Sequence, residues 1–188
     1  MLRAMLAGAI LLVLTPPGVT AQKKTAVNPN AATIQDYMKR VNEYVALHKK
    51  LEATLPSLPK QTTPQQMDAH ERALAKLMQE ARANAKPGDI FTPGMQRLVR
   101  SLLRPIFLGK AGQQIKAEIT DKEYKGSVKL TVNGRYPDEV PVSTMPPQVL
   151  ESLPKLPEEL EYRFILNTLI LFDPHAHIIA DFVERAFT

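Results

Sequence analysis

The chain has 188 residues, 44% of them apolar and 23% charged, with sixteen prolines, eight glycines and no cysteine or tryptophan. That balance belongs to a globular protein and excludes a collagen-like, disulfide-stapled or wholly disordered chain. The net charge of +5 is mild and carries no nucleic-acid signature, so nucleic acid is not expected as a partner.

The chain opens with one positive charge, Arg3, and an eleven-residue apolar run over residues 4–14 interrupted only by Gly8. Crossing hydrocarbon takes about 20 apolar residues, so this run reads as the core of a signal peptide and not as an anchor. Thr15-Pro16-Pro17-Gly18 breaks any helix, and Val19-Thr20-Ala21 presents short side chains to a signal peptidase, which places cleavage after Ala21. Residues 1–21 are therefore expected to direct export to the periplasm or beyond, with no transmembrane segment after them. An exported chain without cysteine has neither a disulfide nor a lipid-acceptor thiol, so its stability must come from its core. Residues 22–30 are polar and rich in Lys and Asn and read as a disordered arm, and residues 31–188 as a single domain.

Helical periodicity begins at residue 33. Ile34, Tyr37, Met38, Val41, Tyr44, Val45, His48 and Leu51 recur at three and four, on one face of a helix that must end before Pro56. Thr63-Pro64-Gln65-Gln66 reads as an N-cap, a first-turn proline and a capping-box partner, so a second helix starts at Pro64 with the stripe Met67, His70, Leu74, Leu77, Met78 and Ala81. Two helices joined by a short connector predict an antiparallel hairpin. Thr92-Pro93 repeats the start signal for a third helix striped by Met95, Leu98, Val99, Leu102, Leu103 and Ile106, with Arg97, Arg100 and Arg104 opposite and Pro105 expected to end or kink it. A weaker helix is expected over residues 113–122.

Beyond residue 124 the prolines thicken, seven falling between Pro137 and Pro174. The alternating stretch at residues 128–132 runs into Asn133-Gly134, a two-residue hairpin turn if Arg135-Tyr136 pairs back. Pro146-Pro147 opens a short helix through Leu153. Leu160, Tyr162 and Phe164 alternate with charges as a half-buried strand, Leu169-Ile170-Leu171-Phe172 reads as a central strand, and residues 178–183 as a third, after a type I turn at Asp173-Pro174-His175-Ala176. The expected class is α+β: a helical part over residues 31–124, and a Pro-rich connection and antiparallel β-meander over residues 125–188.

The ending Leu156-Pro157-Glu158-Glu159-Leu160-Glu161-Tyr162-Arg163-Phe164, with Leu169-Ile170-Leu171-Phe172-Asp173 and Ile178-Ile179-Ala180-Asp181-Phe182, resembles the C-terminal part of a group of uncharacterised exported bacterial proteins. Asn133-Gly134-Arg135-Tyr136-Pro137 and Gly88-Asp89-Ile90-Phe91-Thr92-Pro93 share the likeness, which spans most of the chain after residue 21. It implies export and a common fold, and carries over no catalytic residue. The order of a Tyr-Arg strand, an aliphatic strand, an Asp turn and an Ile-Asp strand is also similar to small periplasmic domains, some linked to metal homeostasis.

The sequence has no Gly-x-Ser-x-Gly elbow, no phosphate loop, no dinucleotide fingerprint and no cysteine nucleophile. His70-Glu71 begins a His-Glu-x-x-His motif, but Leu74 replaces its second histidine. His48 and His70 interrupt the apolar stripes of the two hairpin helices at matching distances from Pro59, so they are expected to face each other as a divalent-metal or proton-switching pair. The alternative is two separate histidines near the open end of a small core. His175 and His177, flanked by Asp173 and Asp181, would point to one side of an extended strand and form a second metal candidate with Asp173. Against that, Asp173-Pro174-His175 already has a turn role. Arg97, Arg100 and Arg104 could dock on anionic headgroups or wall polymers, or simply be a solvated face.

The leading expectation is a non-catalytic, exported structural or interaction module with no cofactor and a protein or envelope component as partner. The alternative is a divalent-metal binder using His48/His70 or His175/His177. A hydrolase of unrecognised type ranks third.

Overall fold

The computed structural model describes residues 29–119, 129–141 and 144–187. The expected signal peptide, most of the polar arm and the end of the expected fourth helix lie outside the described residues. The molecule is α+β, with five helices and a three-stranded antiparallel sheet among the described residues.

Helix α1 spans Pro29–Glu52, taking in the last two residues assigned to the arm. It buries Tyr37, Val41, Tyr44, Val45 and His48 along the predicted stripe. Helix α2, Pro64–Ala81, starts at the expected capping box: the Gln66 N–H donates to Thr63 Oγ1 at 3.2 Å, and the Thr63 N–H donates to Gln66 Oε1 at 2.9 Å. Such a cap is worth about 1 kcal/mol and fixes where the helix begins. The two helices run antiparallel. Glu52 at the end of α1 approaches His70 early in α2, whereas Tyr44, two turns back, lies beneath the Arg82 guanidinium just past the end of α2.

Helix α3, Pro93–Leu108, is capped by Thr92 and continues through Pro105, where an end or kink is expected. Proline there removes the N–H that would bond the Ser101 carbonyl. Packing offsets the loss: in the last turn Phe107 stacks on Phe187 at 4.0 Å and meets Phe164 edge-on at 6.1 Å. Helix α4, Gly112–Ile119, begins so close to that turn that a Cβ at Gly112 would collide with the Phe107 carbonyl. Helix α5 is the short Pro147–Ser152. No helix among the described residues is long and apolar enough to cross a membrane.

Strands β1 (Glu161–Ile165), β2 (Thr168–Asp173) and β3 (Ile178–Val183) form a meander in that order. All six residues of β2 are buried, because the sheet is covered on both faces. Tyr162, Phe164, Leu169, Leu171, Ile178 and Ala180 join the helices in the main core. Ile165, Ile170, Phe172, Ile179 and Phe182 form a second cluster with Tyr136 and Val140.

That second cluster replaces the hairpin expected around Asn133-Gly134. The turn itself is present, with Asn133 at φ 61° and the Gly134 N–H donating to the Thr131 carbonyl at 3.0 Å. Its outgoing arm pairs with the start of β3 instead: the Asn133 N–H donates to the Ile179 carbonyl at 2.8 Å, the Ile179 N–H to that of Gly134 at 2.9 Å, and the Tyr136 N–H to that of His177 at 3.0 Å. A free two-stranded ribbon is marginal in water, and Val132, Tyr136 and Val140 bury more apolar surface by closing the open face of the sheet.

Candidate metal centre

The β-meander and the hairpin helices meet where α1 ends. Tyr44, His48 and Glu52 follow one another at four-residue spacing and so share one face of α1. Asp173 closes β2 opposite Ile178, on the helical side of the sheet, which directs its carboxylate at that face.

Asp173 is fully buried and accepts three hydrogen bonds. Its Oδ2 accepts from the Tyr44 hydroxyl and from His48 Nδ1, both at 2.7 Å, and its Oδ1 accepts from the Ala176 N–H at 2.9 Å. The last of these bonds ties down the turn at residues 174–177, where a turn is expected, through the side chain of Asp173. The others place Asp173 behind His48 as its anchor, beside the ring and not in the group of His48, Glu52 and His175. With Nδ1 committed, the remaining nitrogen of His48 points away from the anchor.

That nitrogen, Nε2, is buried and makes no hydrogen bond. It stands 3.4 Å from Glu52 Oε2, and His175 Nδ1 lies 3.1 Å from Glu52 Oε1. One donor atom from each of His48, Glu52 and His175 can be chosen so that all three lie within 4.8 Å of one another. His70 Nε2 is 3.9 Å from Glu52 Oε1, so three imidazoles converge on one carboxylate. Burial favours the neutral form of His48, but Asp173 on one side and Glu52 on the other outweigh it and raise its pKa. The shift favours the protonated ring, so an ion at Nε2 would have to displace a proton.

The expected pairings are therefore exchanged. His48 and His70 reach Glu52 from different helices, and the ring that meets His48 edge-on is His175, with centroids 5.3 Å apart. Nor do His175 and His177 share a side, because residues 174–177 turn before β3 begins. His177 has a φ of 52° and lies edge-on to Tyr136 and Phe172. Its nearest carboxylates, Glu71 at 3.9 Å and Asp138 at 3.8 Å, are beyond hydrogen-bonding distance. Asp181 belongs to the scaffold: it accepts from the N–H groups of Gly88, Ile90, Phe91 and Phe182 at 2.8–3.0 Å.

The arginine face is divided as well. Arg97 and Arg104 are exposed, whereas the Arg100 guanidinium donates to the carbonyls of Glu184 at 2.9 Å and Arg185 at 3.3 Å, tying α3 to the end of β3. The residue that sequence reading passes over is Glu52. Its signal was present in the four-residue spacing from His48, but nothing local distinguishes it from any glutamate in a last helical turn.

Comparison with known proteins adds no assignment. No protein-family model, curated protein or solved structure matches the chain.

The chemistry of the cluster is set by its donors. Tetrahedral ligands about 2.0–2.2 Å from one metal stand about 3.4 Å apart, so the three donor atoms, within 4.8 Å of one another, would have to draw together to share an ion. Two imidazoles, a carboxylate and no thiolate suit Zn²⁺, Ni²⁺, Co²⁺ or Cu²⁺ better than Ca²⁺ or Mg²⁺, which prefer all-oxygen shells. Asp173 behind His48 supplies the outer carboxylate that commonly orients a metal-bound imidazole.

Proposed function

We propose that this protein is an exported binder of a divalent transition-metal ion, held by His48, Glu52 and His175. One observation carries the reading: a fully buried imidazole, oriented from behind by a buried carboxylate, turns an unbonded nitrogen toward a second carboxylate and a second imidazole. A buried nitrogen without a hydrogen bond costs about 1–3 kcal/mol, which its 3.4 Å approach to Glu52 offsets only in part and a cation shared with Glu52 and His175 would recover. This favours the metal binder over the interaction module that composition alone places first. Export rests on the N-terminal sequence and on the likeness to exported proteins.

Calorimetric titration of the purified chain with Zn²⁺, Ni²⁺ and Cu²⁺ tests the site. Binding of one ion per chain is expected, lost in His48→Ala, Glu52→Ala and His175→Ala and retained in His177→Ala. Equal binding by all four variants would contradict the assignment. Export is checked separately by N-terminal sequencing of the protein recovered from its compartment, which should begin at Gln22.

A further inference from the structure

Where the end of α3 meets the segment after β3, a hollow of about 320 Å³ is lined by Arg100, Arg104, Leu108, Arg185, Ala186 and Phe187. It shares no residue with the candidate metal cluster. Three guanidinium groups line it and no carboxylate does. Arg100 and Arg104 are four residues apart on α3, a spacing at which like charges repel. Arg100 donates through Nε and Nη2, to the carbonyls of Arg185 and Glu184 and to Gln96 Oε1, and its Nη1 makes no hydrogen bond among the described residues. The Arg104 and Arg185 side chains make no hydrogen bond or ion pair among the described residues. Arg185 is also held at φ 48°, a left-handed conformation that costs energy for any residue with a side chain. By bonding the carbonyls of residues 184 and 185, Arg100 fixes the backbone that brings Arg185 to the hollow. Phe187 supplies an apolar wall, stacked on Phe107 at 4.0 Å, and Lys116 Nζ stands 5.9 Å from the Phe187 ring centroid.

We propose that this hollow binds a phosphate group, received by Arg104, Arg185 and the Nη1 of Arg100. Gathered guanidinium groups repel one another, and an anion set between them replaces that repulsion by attraction. The guanidinium fork matches phosphate oxygens in pairs and keeps its charge at any ordinary pH. Phosphate also offers more acceptor oxygens than a carboxylate, so it can engage three such forks at once. Leu108, a lining residue exposed to 61%, gives an apolar body attached to the phosphate a surface to rest on. The phosphate arrives either on a soluble molecule or as a lipid headgroup. Arg97, which shares α3 with Arg100 and Arg104, does not line the hollow; Arg185 completes the group instead.

Calorimetric titration of the purified chain with inorganic phosphate, at about 0.15 M salt so that diffuse charge attraction is screened, should show one site. Arg104→Gln and Arg185→Gln remove exposed side chains that bond nothing in the fold, and each should weaken binding about tenfold or more. Arg97→Gln removes the same charge from the same helix outside the hollow and should change it by no more than about twofold. Co-sedimentation with phosphatidylglycerol vesicles separates the two sources. Retention that Arg104→Gln and inorganic phosphate both abolish identifies a lipid headgroup, and phosphate binding without such retention identifies a soluble phosphate. Phosphate binding that survives both Arg104→Gln and Arg185→Gln, or that Arg97→Gln weakens equally, would overturn the proposal, as would binding of neither probe.

Discussion

At His48 two carboxylates face one imidazole, Asp173 at 2.7 Å from Nδ1 and Glu52 at 3.4 Å from Nε2. Asp173 fixes which nitrogen points into the cluster, so its effect on metal binding is indirect and should be large. Replacing an outer-shell partner of a metal ligand usually costs 10–100-fold in affinity, and Asp173→Asn is expected to weaken Zn²⁺ binding by about that factor in calorimetric titration. Asp181 is the contrasting case, an acid that accepts from four backbone N–H groups and takes no part in the cluster. Asp181→Ala should lower stability by about 3 kcal/mol or more in urea unfolding, because several buried donors are left bare, and should leave metal affinity unaltered once folded. Residue type alone made His48, His70 and His175 visible as candidates. Partner choice was not legible: Glu52 carries no special local pattern, and Asp173 reads equally well as a turn residue, a ligand or an anchor until the strand is set against α1.

Among the elements, those whose signals are local were readable and those that depend on distant pairing were not. The Thr63 capping box, the Thr92 cap and the alternation of β1 all lie within a few residues of one another and needed no tertiary information. Asn133-Gly134 also gave a true turn, yet its outgoing arm bonds β3 more than forty residues away. The Arg82 guanidinium fixes this strap by donating to Asn133 Oδ1 and to the Ala180 carbonyl, while Asn133 Nδ2 donates back to the Arg82 carbonyl at 2.9 Å. A side chain at Gly134 would collide with Thr131, so Gly134→Ala should lower the melting temperature by several degrees and speed amide exchange at Ile179 before the rest of the sheet. A different tie joins α1 to the start of β1, where Lys49 Nζ lies 2.6 Å from Glu159 Oε1. Burial would raise the Glu159 pKa, but the lysine and backbone donors more than offset it and hold it below the ordinary glutamate range. A depressed folded-state pKa stabilises the fold above the unfolded value, near 4.3, and that contribution fades as pH falls through the lower folded value. Glu159→Gln should therefore flatten the dependence of melting temperature on pH in this acid range, with little change in slope above pH 6.

For the whole molecule, the sheet is the centre of two cores, one shared with the helices and one sealed by residues 129–141. The candidate metal cluster joins parts distant in sequence: His48 and Glu52 from α1, and His175 from the turn between β2 and β3, with His70 of α2 near Glu52. These side chains are brought together only by the complete fold, so an ion bound by them, as proposed, would stabilise it. For an ion bound only by the native state at 100 times its dissociation constant, the gain is about 2.7 kcal/mol, which for a chain of this size raises the melting temperature by several degrees. The most direct test of the central claim is thermal unfolding of the chain with and without excess Zn²⁺, in wild type and in His48→Ala and His175→Ala. An upward shift is expected in the wild type, abolished by either substitution. No shift in the wild type, or an equal shift in all three, would contradict it.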